Sequence, residues 1–271
     1  MKGRQLGEKP PGQAGNFYDD EYFRKNPSLH AEDAELKAKE VLRSFNYLPS
    51  TILNKKRISI LDVGGGAGLV MSIVRKELSR KGFSVDTLAL DISPRMIEIQ
   101  RQTMGNANFK GYVASVEQIP KGVKADVTLM LDVLEHVPNH IKALKELRRV
   151  SDYIIFRIPI DSSVILNILD RILRGRIRQY LYKQYGHCHT FSLKQVRETI
   201  DGELGTILCT EILNECSYGF KHNLSFFSSL YNNLLKAILY KINKQLALSI
   251  LGGKVMVVVS CKSPKGVKRV R

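Results

Sequence analysis

The sequence predicts an α/β protein with one doubly wound, mostly parallel sheet of seven strands. Two observations lead to this prediction. From residue 57 onward, short apolar runs alternate with segments of helical spacing, and the first run, 58–63, is followed directly by a glycine-rich turn. A continuous apolar run is typical of a strand that is buried on both faces. Alternation of such strands with helices favours right-handed parallel crossovers.

Local patterns place the individual elements. Ser93 and Pro94 combine a capping side chain with a proline at the first helical position, which predicts a helix from there to about Thr103. The other crossover helices are predicted at 69–80, 139–150 and 193–200. The seven strands are predicted at 58–63, 84–90, 109–114, 126–131, 153–158, 206–213 and 254–260.

Two longer helical stretches interrupt this alternation. Residues 162–185 and 217–250 have helical spacing where a short turn would connect neighbouring strands. We interpret them as helical cap insertions over the carboxyl ends of the strands, where loops carry function. Residues 1–56 begin with a stretch rich in Gly, Pro and Lys and are predicted to form a disordered lead-in and an N-terminal helical lid. Residues 57–271 are then the α/β domain.

The charge of the chain favours anionic partners. Forty-two Lys and Arg residues against 26 Asp and Glu residues give a formal net charge of +16. Such an excess is compatible with nucleic acid, an anionic membrane surface or a phosphorylated substrate. The four cysteines form no CxxC pair, and no apolar stretch resembles a secretory signal or a membrane span. We therefore expect a cytoplasmic protein, peripheral at most to a membrane.

The glycine-rich turn is the first candidate binding site. Gly64, Gly66 and Gly68 would let the backbone turn tightly and approach a ligand above the N-terminus of the next helix. A tight strand-to-helix turn without a ligand is the alternative interpretation. Asp62 precedes the glycines, and its carboxylate would repel a diphosphate but suit a cationic amino acid. Asp91 ends the second strand, where an acid can accept both ribose hydroxyls of a nucleoside.

Taken in order, three motifs resemble the class I methyltransferases, and they look most like the small-molecule O-methyltransferases of ubiquinone biosynthesis. The motifs are the glycine turn after Asp62, the strand-terminal Asp91, and the stretch LDVLEHV at 131–137. The resemblance covers about 57–260. It implies a Rossmann-like methyltransferase fold for the α/β domain and S-adenosyl-L-methionine as the cofactor.

The resemblance also implies which residues hold that cofactor. The glycines would line its methionine moiety near Asp62, Asp91 would hold the ribose, and Ile92 would pack on the adenine. Where the family often has an acid for the adenine amino group, this chain has Ser115, which accepts a hydrogen bond less strongly than a carboxylate. The implied set is Asp62, Gly64, Gly65, Gly66, Gly68, Asp91, Ile92, Ser115, Val116 and Asp132.

Three histidines are candidates for the chemistry. Methyl transfer from a sulfonium mainly requires alignment and exclusion of water, but an oxygen or nitrogen acceptor can also need a base. His136, His187 and His189 fall near the site loops, and a role for His187 or His189 competes with capping or packing. In the resembling enzymes, the equivalents of Asp132, Glu135 and His136 suggest a divalent-metal site. Because two carboxylates and one imidazole make an incomplete ligand set, no metal is predicted here.

The acceptor is predicted to be small or lipid-like, with O-methylation as the reaction. Both insertions combine apolar side chains at helical spacing with Arg and Lys residues. They are either core-packed helices with solvated basic faces, or an apolar mouth with a basic rim on an anionic membrane. An RNA or protein methyltransferase is an alternative, although no RNA-binding module is recognised. A non-catalytic S-adenosylmethionine-binding module is a further alternative, disfavoured by the intact cofactor motifs.

Overall fold

Seven strands form one sheet in a computed structural model that describes residues 31–105, 108–213 and 238–262. The strands are β1 (Arg57–Val63), β2 (Ser84–Asp91), β3 (Phe109–Val113), β4 (Ala125–Leu131), β5 (Ser151–Ile160), β6 (Thr206–Leu213) and β7 (Gly253–Ser260). Their order in the sheet is β3-β2-β1-β4-β5-β7-β6. β1 to β5 pair in parallel, and β7 runs antiparallel to β5 and β6. The predicted doubly wound, mostly parallel α/β sheet is confirmed.

Side-chain caps mark the start of several helices. They are α1 (Ala34–Ser44), α2 (Ser50–Leu53), α3 (Leu69–Arg80), α4 (Pro94–Met104), α5 (His140–Val150), α6 (Val164–Ile172), α7 (Arg176–Tyr185), α8 (Leu193–Glu203) and α9 (Lys244–Leu251). The Ser93 side chain accepts a hydrogen bond from the backbone N–H of Met96 at 3.2 Å, and Pro94 occupies the first turn of α4. Asn139 caps α5 in the same way through the N–H of Lys142, at 3.0 Å.

The first predicted insertion consists of two helices, α6 and α7. The break between them lies at Arg174 and Gly175, whose φ angles of 52° and 81° are left-handed and end α6. The predicted lead-in and the part of the second insertion over 217–237 lie outside the described residues. In the described part of the chain, no helix combines the length and the apolar character that crossing a membrane requires.

Apolar side chains fill both faces of the sheet. On one face, Phe156 of β5 packs in a cluster with Leu144 of α5. On the other face, Ile155 of the same strand packs with Val41 of α1 and Met71 of α3. Because neighbouring residues of a strand point to opposite faces, β5 contributes to both clusters and is buried nearly throughout. This burial on two sides explains why the strands appear in the sequence as continuous apolar runs.

The carboxyl ends of the parallel strands lie at one edge of the sheet. The glycine turn follows β1 there, Asp91 ends β2, and the loops after β4 and β5 begin with Asp132 and Asp161. In open α/β sheets, the crevice at this edge is the usual place for a ligand.

Candidate active site

The turn after β1 has the tight backbone conformation that its glycines predict. Gly64, Gly66 and Gly68 have φ angles of 63°, 57° and 76°, which side chains rarely adopt. The N–H of Gly64 donates to the carbonyl of Leu90 at 2.8 Å and so ties the turn to β2. A Cβ atom at Gly66 would meet no described atom within 4 Å. At Gly66 the turn therefore presents open backbone.

Asp62 lies directly beneath this turn. Its side chain is buried, and a Cβ atom on Gly65 would lie only 2.0 Å from its Oδ2. Within the described residues, Oδ2 has no hydrogen-bond partner. Burial, and then the nearby Asp91, raise the pKa of Asp62 to about 7. A cationic group at this position would favour the ionised form, supply the missing partner and release the proton.

Asp91 is the second buried carboxyl at this edge. It accepts a hydrogen bond from the N–H of Ser93 at 2.8 Å. Burial raises its pKa to about 6, although hydrogen bonds from the N–H groups of Ser93 and Ile92 oppose the shift. Two buried carboxyls on adjacent parallel strands disfavour a diphosphate here and favour a ligand that donates hydrogen bonds.

The remaining implied cofactor residues occupy the loops beside β2 and β3. Ile92 is half-buried beside Asp91. The Ser115 Oγ accepts a hydrogen bond from the N–H of Glu117 at 3.1 Å, so this hydroxyl caps a short helical turn. Val116 is buried in the apolar cluster under α5. The contact of Ser115 with an adenine amino group stays a prediction.

Asp132 is held by basic side chains. Its Oδ2 lies 3.0 Å from Lys37 Nζ and 2.5 Å from a guanidinium nitrogen of Arg157, and its φ of 55° is left-handed. Arg157 is buried and also binds Glu40 of α1 at 2.9 Å. Burial alone would raise the pKa of Asp132, but the charges of Lys254, Arg157 and Lys37 hold it well below its usual range. Asp132 is therefore an ionised structural acid that joins α1 to the site.

A second group of polar side chains lies beside Asp132. Oxygen and nitrogen atoms of Glu135, His136 and His187 lie within 4.8 Å of one another, and His187 Nδ1 lies 2.9 Å from the carboxylate of Asp161. Burial, and then the charge of Asp132, raise the pKa of Glu135 to about 8. Burial, and then His187, lower the pKa of His136. At neutral pH this group therefore combines a protonated acid with a neutral His136.

His187 and His189 lie in different clusters, although only one residue separates them. His189 Nε2 lies 3.1 Å from the carbonyl oxygens of Val137 and Pro138, and 3.3 Å from Nδ1 of His140. Residues 186–191 form an irregular segment rather than a strand, so the two side chains can point to different neighbours. With Nε2 directed at backbone carbonyls, His189 is placed for packing, and its predicted catalytic role has no support from the geometry.

The metal-ligand set that the resemblance suggested does not assemble as a unit. Asp132 is engaged with two cations, and the compact group of the described residues is Glu135 and His136 with His187 instead. Glu135 was identifiable from the LDVLEHV motif, whereas nothing in the sequence pointed to Asp161. The expectation of no metal stays a prediction.

The sequence of the chain matches a family model described as a methyltransferase domain over residues 30–201, more than half of the chain. The chain belongs to this methyltransferase family. Membership confirms, at the level of the family, the predicted enzyme class and its cofactor, S-adenosylmethionine. A mitochondrial ubiquinone biosynthesis O-methyltransferase of Candida albicans is 29% identical over 100 residues. That match spans 35% of this methyltransferase and 29% of the relative.

Solved structures of methyltransferases have a fold similar to that of this chain. A plantazolicin methyltransferase bound to a substrate analogue and S-adenosylhomocysteine has a TM-score of 0.57 at 18% identity, over 92% of this chain and 94% of its own. A geranyl diphosphate C-methyltransferase from Streptomyces coelicolor has a TM-score of 0.57 at 10% identity, over 90% and 85% of the two chains. At these identities the likeness concerns the fold alone.

Proposed function

We propose that the chain transfers the methyl group of S-adenosylmethionine to a hydroxyl group of a small or lipid-like acceptor. The observation that carries the proposal is the pair of buried carboxyls, Asp62 and Asp91, beneath and beside a turn of open glycine backbone. The O-methyltransferase among the relatives favours oxygen as the acceptor atom. The +16 charge and the exposed apolar side chains of α6 and α7 favour an acceptor that reaches the site from an anionic, apolar phase.

The two carboxyls fit different parts of the cofactor. Asp62, with its partnerless Oδ2, suits the cationic amino group of the methionine moiety. Asp91, at the end of β2, suits a pair of ribose hydroxyls because its carboxylate can accept a hydrogen bond from each of them. When bound, S-adenosylmethionine supplies an already activated methyl group. The chain's own task is to align the acceptor with that methyl group and to exclude water.

Replacing Asp91 tests the cofactor assignment. We expect Asp91→Ala to weaken S-adenosylmethionine binding by about 1.5–3 kcal/mol, because it removes a charge-assisted hydrogen bond. Calorimetric titration of both proteins measures the change. Asp86→Ala on the same strand is the matched control, since Asp86 forms an exposed ion pair with Arg57 away from the crevice. Unchanged affinity in Asp91→Ala, or binding of NAD as tight as that of S-adenosylmethionine, would contradict the assignment.

The acceptor class is tested with labelled cofactor. The protein is incubated with methyl-labelled S-adenosylmethionine and with the lipid, small polar and RNA fractions of a cell extract. We expect label in the lipid or the small polar fraction, in a form with the stability of an ether. Transfer to RNA alone would favour the nucleic-acid alternative.

A basic apolar face on α6 and α7 supports a membrane-borne or lipid-like acceptor. We define this face by its exposed side chains, which are Ile168, Leu169, Arg171, Ile172, Leu173, Arg174, Arg176, Arg178, Tyr180 and Tyr182. Arg178 is paired with Asp170 at 3.5 Å, whereas the other three arginines have no ion-pair partner in the described residues. Aliphatic and Tyr side chains beside unpaired arginines are the composition that an anionic lipid interface accommodates.

We expect the protein to bind anionic but not neutral vesicles, and to lose this binding as salt rises, because each basic residue near such a surface contributes about 1 kcal/mol. Changing Arg171, Arg174, Arg176 and Arg178 to Gln should reduce vesicle co-sedimentation without affecting cofactor affinity. The matched control removes four exposed arginines elsewhere, namely Arg43, Arg57, Arg80 and Arg101. Equal losses in both variants would mean that total charge, and not this face, determines binding.

A further inference from the structure

We propose that His187 is the general base for the acceptor hydroxyl and that Asp161 is a positioning residue, which fixes the tautomer of His187 so that Nε2 faces the acceptor. The inference rests on the proposed methyl transfer and names the residues that would serve it. Asp161 follows β5 immediately, and its Oδ2 lies 2.9 Å from Nδ1 of His187.

The backbone around His187 is fixed from several sides. The N–H groups of Cys188 and His189 donate to the carbonyl of Glu135 at 2.8 and 3.1 Å. The N–H of Ser162 donates to the carbonyl of Phe191 at 3.0 Å, which ties the loop after β5 to the same segment. His187 therefore stands between the loops that follow β4 and β5, at the edge of the sheet where the cofactor residues lie.

The pairing with Asp161 determines which nitrogen of His187 can act as a base. A carboxylate oxygen only accepts hydrogen bonds, so Nδ1 must carry the proton. In the neutral ring, Nε2 then carries the lone pair. In the described ranges of the chain, no partner occupies Nε2. The side chain is mostly buried but not sealed, with 14% of its surface exposed, so an acceptor can reach it.

The neighbouring histidine is less suited to this role. His136 forms a hydrogen bond with the backbone of Gly186, and its ring packs edge-on against His187 at 4.9 Å between centroids. Its closest carboxyl, that of Glu135, is 3.8 Å away, beyond hydrogen-bond distance. His136 therefore supports the segment that carries His187, and among the described residues no carboxylate lies close enough to fix its tautomer.

The proposed step balances without a further reactant. The acceptor oxygen attacks the methyl carbon, a C–O bond forms, and the C–S bond breaks with its electron pair moving to sulfur. The hydroxyl proton passes to Nε2 of His187, and S-adenosylhomocysteine leaves as the neutral thioether.

The tautomer of His187 is measured directly by two-bond ¹H–¹⁵N correlation spectra of protein labelled with ¹⁵N in its histidine rings. The ring signals of His187 are those that disappear in His187→Gln. We expect the Nδ1–H form as the major neutral form in the native protein and in Asp161→Asn, whose amide oxygen still accepts the hydrogen bond. In Asp161→Ala, Nδ1–H should no longer be the major form. Asp152→Asn is the control, because Asp152 pairs with Lys262 at the opposite edge of the sheet. A native protein with Nε2–H as its major form, or an unchanged tautomer in Asp161→Ala, overturns the proposal.

Turnover separates this inference from the proposed function. With methyl-labelled S-adenosylmethionine and the lipid fraction as probe, Asp161→Ala should lower kcat about 10- to 100-fold, with partial rescue in Asp161→Asn and unchanged cofactor affinity. Full turnover in His187→Gln would overturn the role of His187 as a base. The same holds if turnover strictly requires a divalent ion and this requirement is lost in His136→Ala. Absence of transfer by the native protein to any fraction contradicts the proposed function, while the spectra still report on Asp161.

Discussion

Gly65→Ala is expected to weaken S-adenosylmethionine binding at least about 100-fold, since displacing the Asp62 carboxyl removes a charge-assisted hydrogen bond and distorts the turn. The added Cβ would lie 2.0 Å from Oδ2 and 2.4 Å from Cγ of Asp62. Asp62 is buried beneath the turn with only 3% of its surface exposed, so its carboxyl has little room to move away. The measurement is a calorimetric titration with S-adenosylmethionine and, in parallel, with S-adenosylhomocysteine.

A glycine outside the site provides the control. Gly202 lies in α8, where a Cβ would meet nothing within 4 Å and the backbone is helical. Gly202→Ala should therefore leave cofactor affinity unchanged and stabilise the fold by about 0.5–1 kcal/mol. If Gly65→Ala bound both ligands as tightly as the native protein, Asp62 would not be the contact that we assign to it.

The sequence could predict that the glycine turn, Asp62 and Asp91 meet at one edge of the sheet, because the signals for them are local. Asp62 and the glycines are contiguous, and Asp91 ends an apolar run, so a parallel sheet alone brings them together. This prediction does not depend on which side chains far apart in the sequence contact one another. The physical reason is that main-chain topology, rather than side-chain pairing, determines which strand ends are neighbours.

The side-chain pairs around His187 and Arg157 could not be predicted in the same way. Asp161 and His187 are 26 positions apart, and Arg157 and Glu40 are 117 apart, so only the tertiary structure reveals these pairs. One signal was present: Arg157 interrupts an apolar strand, and a buried guanidinium needs an acidic partner. The sequence did not show that this partner lies on α1, ahead of the first strand.

The network around Arg157 links the N-terminal helix to the site. Arg157 connects Glu40 of α1 with Asp132, and Lys37 of the same helix also binds Asp132. Docking of α1 thus adds the charge of Lys37 to an acid that Arg157 of β5 already contacts, and places Glu40 against the same guanidinium. We infer that α1 contributes to the electrostatics of the site as well as to the core.

Arg157→Met is expected to lower the free energy of unfolding by about 3–5 kcal/mol, because it leaves Glu40 buried without its partner. Burial already raises the pKa of Glu40, and Arg157 opposes that shift. Without the guanidinium the pKa should rise further, so the loss of stability should grow as the pH is raised above the ordinary pKa of the acid and shrink as it is lowered. Urea unfolding at several pH values measures both effects.

Two further variants show whether the buried pair itself is responsible. Arg43→Met removes an exposed ion pair with Glu211 and should cost no more than about 1 kcal/mol. The double variant Glu40→Met with Arg157→Met should recover most of the lost stability, because no uncompensated acid then remains at that position. A loss in Arg157→Met no larger than that in Arg43→Met, or no recovery in the double variant, would show that Glu40 is not the unpaired acid responsible for the loss.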